Sequence, residues 1–238
     1  LTSFVGRERE TAEVTLLLAG EFSNEPSAIR LLTLTGPGGT GKTRLALQVA
    51  AGLVERFPDG VWLVELAALS DPSLVPQSVG SALGLLNTAG RPPLELLTRF
   101  LAPKKALLLL DNCEHLVAAC ADLTDALLRA CLRLQILATS REGLRLAGET
   151  TWPVPSLSVP NLTGGKLGNS ALGALGQYES IKLFVERARA VMPAFKLNEQ
   201  NVAAVAQLCH RLDGIPLAIE LAAARTRLLP VEHLLDRV

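Results

Sequence analysis

Gly36-Pro37-Gly38-Gly39-Thr40-Gly41-Lys42-Thr43 is the stretch whose reading decides the fold. It meets every position of the pattern G-x-x-x-x-G-K-[ST]. Glycines let the backbone curl until successive N–H groups converge, and a helix starting at the end of the loop adds positive partial charge. Such a run makes a nest for phosphate oxygens. Lys42 is placed to reach the β and γ phosphates of a nucleotide. The Thr43 hydroxyl is placed to ligate Mg²⁺, an ion that takes few protein oxygens and keeps several waters. Gly36, Pro37, Gly38, Gly39, Thr40, Gly41, Lys42, Thr43 and Arg44 are therefore the expected phosphate-binding set. The bland alternative is a glycine-rich turn with an incidental lysine.

The flanking patterns argue against that alternative. Ile29 to Thr35 is a short apolar run with β-branched residues, which suits a buried strand. From Arg44 to Phe57, the residues Leu45, Val49, Leu53 and Phe57 recur every four positions, the spacing of an amphipathic helix. A strand thus delivers the chain to Gly36, and a helix leaves it at Lys42.

Working outward, four more runs read as strands: 60–66, 106–110, 135–139 and, with Pro153 and Pro155 placing it at an edge, 150–154. Between them lie helical patterns over 10–18, 93–100 and 114–133, and one opened by Asp71-Pro72 with Leu74, Val75, Val79, Leu83 and Leu86 on its buried face. Strands alternating with helices predict a parallel sheet covered on both faces, a three-layer α/β sandwich of five strands. Its ligand crevice lies outside the carboxyl ends of the strands. Gly36–Thr43, Asp111 and Thr139–Arg141 all fall at such ends. Asp111 closes the apolar run 106–110, the pattern of an acid that holds Mg²⁺ directly or through its water shell. A strand that simply happens to end in Asp is the alternative.

The pattern then changes. Residues 161–176 are rich in Gly, Ser and Asn without periodicity and read as a flexible loop or linker. Residues 177–238 are helical throughout, with helices expected over 179–191, 199–212 (capped by Asn198, ended by Gly214), 216–228 and 230–237. The expected organisation is an α/β nucleotide-binding domain over 1–160, then the linker, then a small helical bundle.

Composition excludes several classes. The chain of 238 residues balances 23 Lys and Arg against 23 Asp and Glu, so it carries no basic field to hold nucleic acid. Cys113, Cys120, Cys131 and Cys209 have no Cys-x-x-Cys spacing and the three histidines are scattered, so buried reduced thiols are expected rather than zinc or disulfides. The N-terminus carries charges where a signal peptide would be apolar, and no run is long enough to span a bilayer; a cytoplasmic protein is expected. Rich in Leu and Ala and lacking an initial Met, the chain reads as a segment of something larger.

Five stretches taken in order resemble the STAND class of signal-transduction ATPases, related to AAA+ proteins and the NB-ARC module. They are Phe4-Val5-Gly6-Arg7-Glu8-Arg9-Glu10, the phosphate loop, Leu107–His115, Ala138-Thr139-Ser140-Arg141-Glu142, and Asp213-Gly214-Ile215-Pro216-Leu217-Ala218-Ile219-Glu220. The set is similar to the ATPase domains of bacterial transcriptional regulators of the LuxR and AfsR kind. The resemblance implies that residues 1–28 form the adenine side of the nucleotide-binding domain, where Val5, Gly6 and Arg7 line the adenine and ribose end of an ATP or ADP site. It also implies that Arg141 senses the γ-phosphate and that Pro216 packs against the adenine. It implies further domains in the same protein (a winged helix, sensor repeats, a DNA-binding domain) and self-association in the ATP state, while the balanced charge speaks against direct nucleic-acid binding by this segment. As alternatives, Arg141 and Arg7 are solvated charges and Pro216 a helix starter.

One position departs from the wider class: Asn112 follows Asp111 where hydrolytic members place an acid, and an amide cannot take a proton at neutral pH. Glu114 is the nearby substitute. Slow Mg-dependent hydrolysis and a nucleotide-controlled switch are expected, with Lys42, Asp111, Glu114 and Arg141 as the catalytic set. Competing readings are a phosphotransferase acting on a small acceptor, for which no arginine-bearing lid is visible, and a structural adaptor with an inert loop.

Overall fold

The computed structural model describes residues 3–20, 29–85, 91–161 and 171–237. It divides into two compact units. One comprises the described residues of Arg9–Gly38 and Lys42–Val154; the other comprises those of Leu1–Glu8, Gly39–Gly41 and Pro155–Val238.

The first unit is built on a five-stranded parallel sheet. Helix α1 (Glu8–Ala19) leads to β1 (Leu31–Thr35), α2 (Lys42–Gly52), β2 (Val61–Glu65), α3 (Val75–Ala82), α4 (Pro93–Leu101), β3 (Leu107–Asp111), α5 (Val117–Ala130), β4 (Gln135–Ser140) and β5 (Glu149–Pro153). The strand order is β2-β3-β4-β1-β5. In register, Thr139 stands beside Leu34 on β1, and Ala138 beside Leu110 on β3. All five expected strands are present and parallel, and the Pro-bearing β5 lies at an edge.

Alternation along the central strands assigns the faces. Leu31, Leu108, Leu110, Ile136 and Ala138 share one core with Val75 and Val79 of α3, Leu97 and Leu101 of α4, and Leu123 and Leu127 of α5. Leu32, Leu34, Leu107, Leu109 and Leu137, also buried, alternate with them, and α2 packs against β1, β3 and β4. Each fully buried Leu contributes about 1.5–3 kcal/mol, so the strands that carry the site are fixed by their hydrophobic interior. Arg30 ties the far end of the sheet: its guanidinium donates to the carbonyls of Leu128, Cys131 and Leu134 at 2.8, 2.6 and 3.3 Å, closing the C-terminus of α5.

Several boundaries differ from the periodic reading. Helix α2 stops at Gly52, and the rest of the expected helix is a 3₁₀ turn at Val54–Arg56. Asp71 does cap, accepting the Ser73 amide at 2.9 Å, but it caps a 3₁₀ turn that runs into α3. Leu86, expected on that buried face, lies outside the described residues.

The second unit is helical: α6 (Ala171–Leu175), α7 (Glu179–Val191), α8 (Val202–Arg211), α9 (Pro216–Ala224) and α10 (Val231–Leu235). Helix α6 and the buried Leu175 fall in the stretch expected to be loop or linker, of which 162–170 lie outside the described residues. Phe184, Val205, Leu208, Ile219 and Leu234 form its core, and Val5 packs on it. Asn198 does not cap α8. Its Oδ1 accepts the amides of Gln200 and Asn201, both at 3.0 Å, and builds the turn before the helix. Gly214 ends α8 as expected, at φ +65°, where a Cβ would stand 2.2 Å from the Leu157 carbonyl oxygen. Among the described residues no helix is long and apolar enough to cross a membrane.

Candidate functional site

The phosphate loop needs glycine for two separate reasons. Gly39 and Gly41 adopt φ of +80° and +88°, in the left-handed region that costs an L side chain energy. A Cβ on Gly39 would also come 2.9 Å from the Leu217 Cβ. Beyond the loop, Lys42 is the first residue of α2 and is buried. Its Nζ donates to the carbonyls of Gly36 at 2.8 Å and Pro37 at 3.0 Å, which holds the ammonium back against the loop. Burial lowers the Lys42 pKa. Glu114 opposes that shift, the Arg141 charge adds to it, and Asp111 opposes it least.

At the tip of β3, one carboxylate oxygen gathers two hydroxyls. Asp111 Oδ1 accepts from Thr43 Oγ1 and from Thr139 Oγ1, each at 2.6 Å. Thr139 in turn accepts the Asn112 amide at 2.9 Å. Because β4 lies between β1 and β3 in the sheet, its tip is the natural source of this link. Thr139 was legible as a strand end but not as a brace on Asp111; the signal that could have found it is a hydroxyl at the tip of the strand between the loop strand and the acid strand.

Asn112 sits in the left-handed region, at φ 69° and ψ 49°. Asn tolerates that conformation better than an acid-bearing glutamate does, and the turn it starts carries Glu114 on the 3₁₀ segment Cys113–His115. Glu114 Oε1 is 3.3 Å from Arg141 Nε. Its other oxygen, Oε2, is buried with no protein partner among the described residues. Glu114 also acts on the Lys42 charge more strongly than Asp111 does. The carboxylate with the larger influence on the loop lysine is thus Glu114, two residues beyond the Asn. His115 is tied down elsewhere, its Nε2 lying 2.7 Å from the Leu69 carbonyl.

Arg44 is half-buried in the first turn of α2, and Gly38 has open space beside it. Thr43 and Asp111 present a hydroxyl and a carboxylate in direct contact, a donor set that fits a hard cation bound chiefly by phosphates and water. Among the described residues no cluster of three or more His, Cys, Asp or Glu side chains could hold a metal by itself. The four thiols are free and buried. The hydrogen bond with Cys120, and after it burial, pushes the Cys113 thiol up, and burial pushes Cys209 up to about 12, so neither is reactive.

In the helical unit, Arg7 is buried at φ +64°, and its Nη2 donates to the carbonyls of Thr40 at 2.6 Å and Pro155 at 2.8 Å. The guanidinium braces the loop backbone rather than standing as a solvated charge. Pro216 opens α9, and its Cγ lies 3.9 Å from where a Cβ on Gly41 would stand. Val5 is half-buried on the helical core.

Residues 27–149 match the family described as AAA domain. This chain belongs to the AAA domain family. The match spans the loop, Asp111 and Arg141, so the geometry above is that of an AAA-type P-loop ATPase domain. The AAA domain is 46% identical over 235 residues to an uncharacterized protein of Mycobacterium tuberculosis, covering 98% of this chain and 53% of that protein. It is also 46% identical over 198 residues to an M. tuberculosis protein whose name places it provisionally among HTH-type transcriptional regulators, covering 83% of this chain and 20% of that protein. The chain therefore spans about half the length of the first relative.

Among the solved structures that share its fold are these two. One is a signal transduction ATPase with numerous domains (STAND) that carries a tetratricopeptide repeat sensor, from Pyrococcus horikoshii (TM-score 0.54, 16% identity, 92% of this chain and 29% of that one). The other is AMPPCP-bound DnaA from Aquifex aeolicus (TM-score 0.51, 16% identity, 99% of this chain and 66% of that one).

Proposed function

We propose that this AAA domain is an adenine-nucleotide switch with slow Mg²⁺-dependent ATP hydrolysis, working inside a multidomain bacterial transcriptional regulator. The observation that carries the reading is the meeting of Thr43 and Asp111 at 2.6 Å next to a buried loop lysine. On binding, Lys42 would exchange the Gly36 and Pro37 carbonyls for phosphate oxygens, which suits an ammonium already held at the loop. Thr43 and Asp111 would hold Mg²⁺, which when bound neutralises phosphate charge. Val5, Gly6 and Pro216 are proposed at the adenine end, with Arg7 holding the loop beside them.

Glu114 is the group proposed to take the proton from water, since the Asn112 amide cannot. Its ion pair with Arg141 makes hydrolysis conditional. A γ-phosphate competing for the guanidinium would release the carboxylate, so turnover stays slow and responsive to the state of the site. ADP and ATP would then select different states of the domain.

The regulator relative and the STAND fold support a setting with further sensor and DNA-binding domains, and four free thiols fit a reducing, cytoplasmic one. Self-association in the ATP state belongs to the same proposal. Calorimetric titration with Mg·ADP and Mg·ATP tests it. Binding by the unaltered domain and none by Lys42→Ala is expected; equal affinity in the two proteins would end the reading. Turnover of many per second that is lost in Asn112→Ala would remove the slow switch and the role of Glu114.

A further inference from the structure

A nest binds an anion by turning N–H groups toward it, so the carbonyls of the same peptides turn away and need donors of their own. In the helical unit two such donors are present. The Gly39 carbonyl accepts the Leu217 amide at 3.2 Å, and the Thr40 carbonyl accepts Arg7 Nη2 at 2.6 Å. The orientation of the loop peptides therefore depends on where Arg7 is held.

Arg7 is held in an unfavourable backbone state. Gly6 and Arg7 are consecutive left-handed residues, at φ 69° and 64°, and Arg7 has a Cβ to pay for it. What fixes them is Glu179, the first residue of α7. Its Oε1 accepts the Arg7 amide at 2.6 Å across 172 residues of sequence, and its Oε2 accepts the Ser158 amide at 3.1 Å. The Glu179 amide is met in turn by Ser158 Oγ at 3.1 Å. The carboxylate fits so closely that a Cβ on Gly6 would lie 2.6 Å from Oε1.

We infer that Glu179 is a positioning residue for phosphate binding, acting through Arg7 on the Thr40 peptide. The inference rests on the loop being the phosphate site. Coupling of this kind is reciprocal: an anion that orders the loop must also tighten the hold on Arg7. Occupancy of the nest is thereby reported to the N-terminal arm and to α7 even by an anion that has no base to touch the arm.

The probe is inorganic tripolyphosphate, which has no base, beside Mg·ADP. Affinities of the unaltered domain, Glu179→Ala and Glu179→Gln are measured by calorimetry, and exchange of the Arg7 amide is followed with and without tripolyphosphate. The expected result is a common loss of about tenfold for both ligands in Glu179→Ala, the order expected for removing a charge-assisted hydrogen bond. Most of it should return in Glu179→Gln, whose carbonyl can still accept the Arg7 amide. Tripolyphosphate should slow Arg7 exchange in the unaltered domain.

Tripolyphosphate affinity within twofold in Glu179→Ala, or Arg7 exchange indifferent to the anion, overturns the inference. Failure of the unaltered domain to bind either ligand overturns the phosphate reading itself. Should Glu179→Ala not fold, Glu179→Gln and the exchange measurement on the unaltered domain decide.

Discussion

Thr139→Val keeps a β-branched shape at the tip of β4 and deletes one hydroxyl. That hydroxyl donates to Asp111 Oδ1 at 2.6 Å and accepts the Asn112 amide at 2.9 Å, in a residue that is only 2% exposed. Losing a hydrogen bond to a charged group costs roughly 1.5–3 kcal/mol, and stranding the part-buried Asn112 amide adds at most roughly 1–3 kcal/mol. The added methyl returns about 0.8 kcal/mol. Since neighbouring terms do not add fully, a net loss of about 2–4 kcal/mol is expected. Urea unfolding with an unchanged m-value measures it. The same variant should bind ADP with a weaker response to Mg²⁺, because Asp111 then has Thr43 alone to orient the oxygen it shares. A stability loss below about 0.5 kcal/mol, well under the range just derived, together with an unaltered Mg²⁺ response, would refute the bracing role.

Arg141→Ala should erase any preference for ATP over ADP, and Glu114→Gln should stop turnover while leaving nucleotide affinity nearly intact. A preference unchanged in the first, or turnover unchanged in the second, removes that residue from the site. Gly214→Ala should destabilise the domain by roughly 2–4 kcal/mol, combining left-handed strain with a clash against the Leu157 carbonyl; a melting temperature equal to that of the unaltered protein would contradict the geometry.

The pH dependence follows from Lys42, whose pKa lies below its ordinary value of 10.5 because burial disfavours the charged form. Phosphate needs the ammonium, so ADP affinity should begin to fall below the ordinary lysine range as pH rises. The free domain should move the other way. With the folded pKa depressed, the unfolded chain binds more protons between the two values, so Lys42 makes stability rise with pH up to the ordinary value. Calorimetry and urea unfolding between about pH 7 and pH 10 read both slopes; an ADP affinity that is flat over this range would refute the first.

Much of this molecule is legible in its sequence because the constraints are local. A loop that must reach φ +80° and +88° announces itself in glycine, and a strand buried on both faces appears as four leucines before Asp111. Helix α7 begins and ends where its periodicity does, at Glu179 and Val191.

What was not legible depends on partners far away in sequence. Arg7 and Glu179 meet across 172 residues, and nothing in the spacing of either says so. Glu114 could be nominated by elimination, but its pairing with Arg141 comes after a left-handed turn at Asn112, a backbone choice that composition does not encode. The end of α2 at Gly52 and the turn built by Asn198 are the same kind of miss, local hydrogen bonding winning over periodicity.

The pairing of β4 has a practical consequence. A chain whose fourth strand docked one position out would offer Ala138 or Ser140 to Asp111 in place of Thr139, and would turn its buried side chains to the opposite face. Either slip misplaces the side chains that build the tip of β4, and the Ala138 slip also lacks the oxygen that steadies the acid, so neither molecule should retain ligand. Immobilised nucleotide would therefore sort a refolding mixture by strand alignment, capturing the correctly threaded fraction and letting the rest flow through.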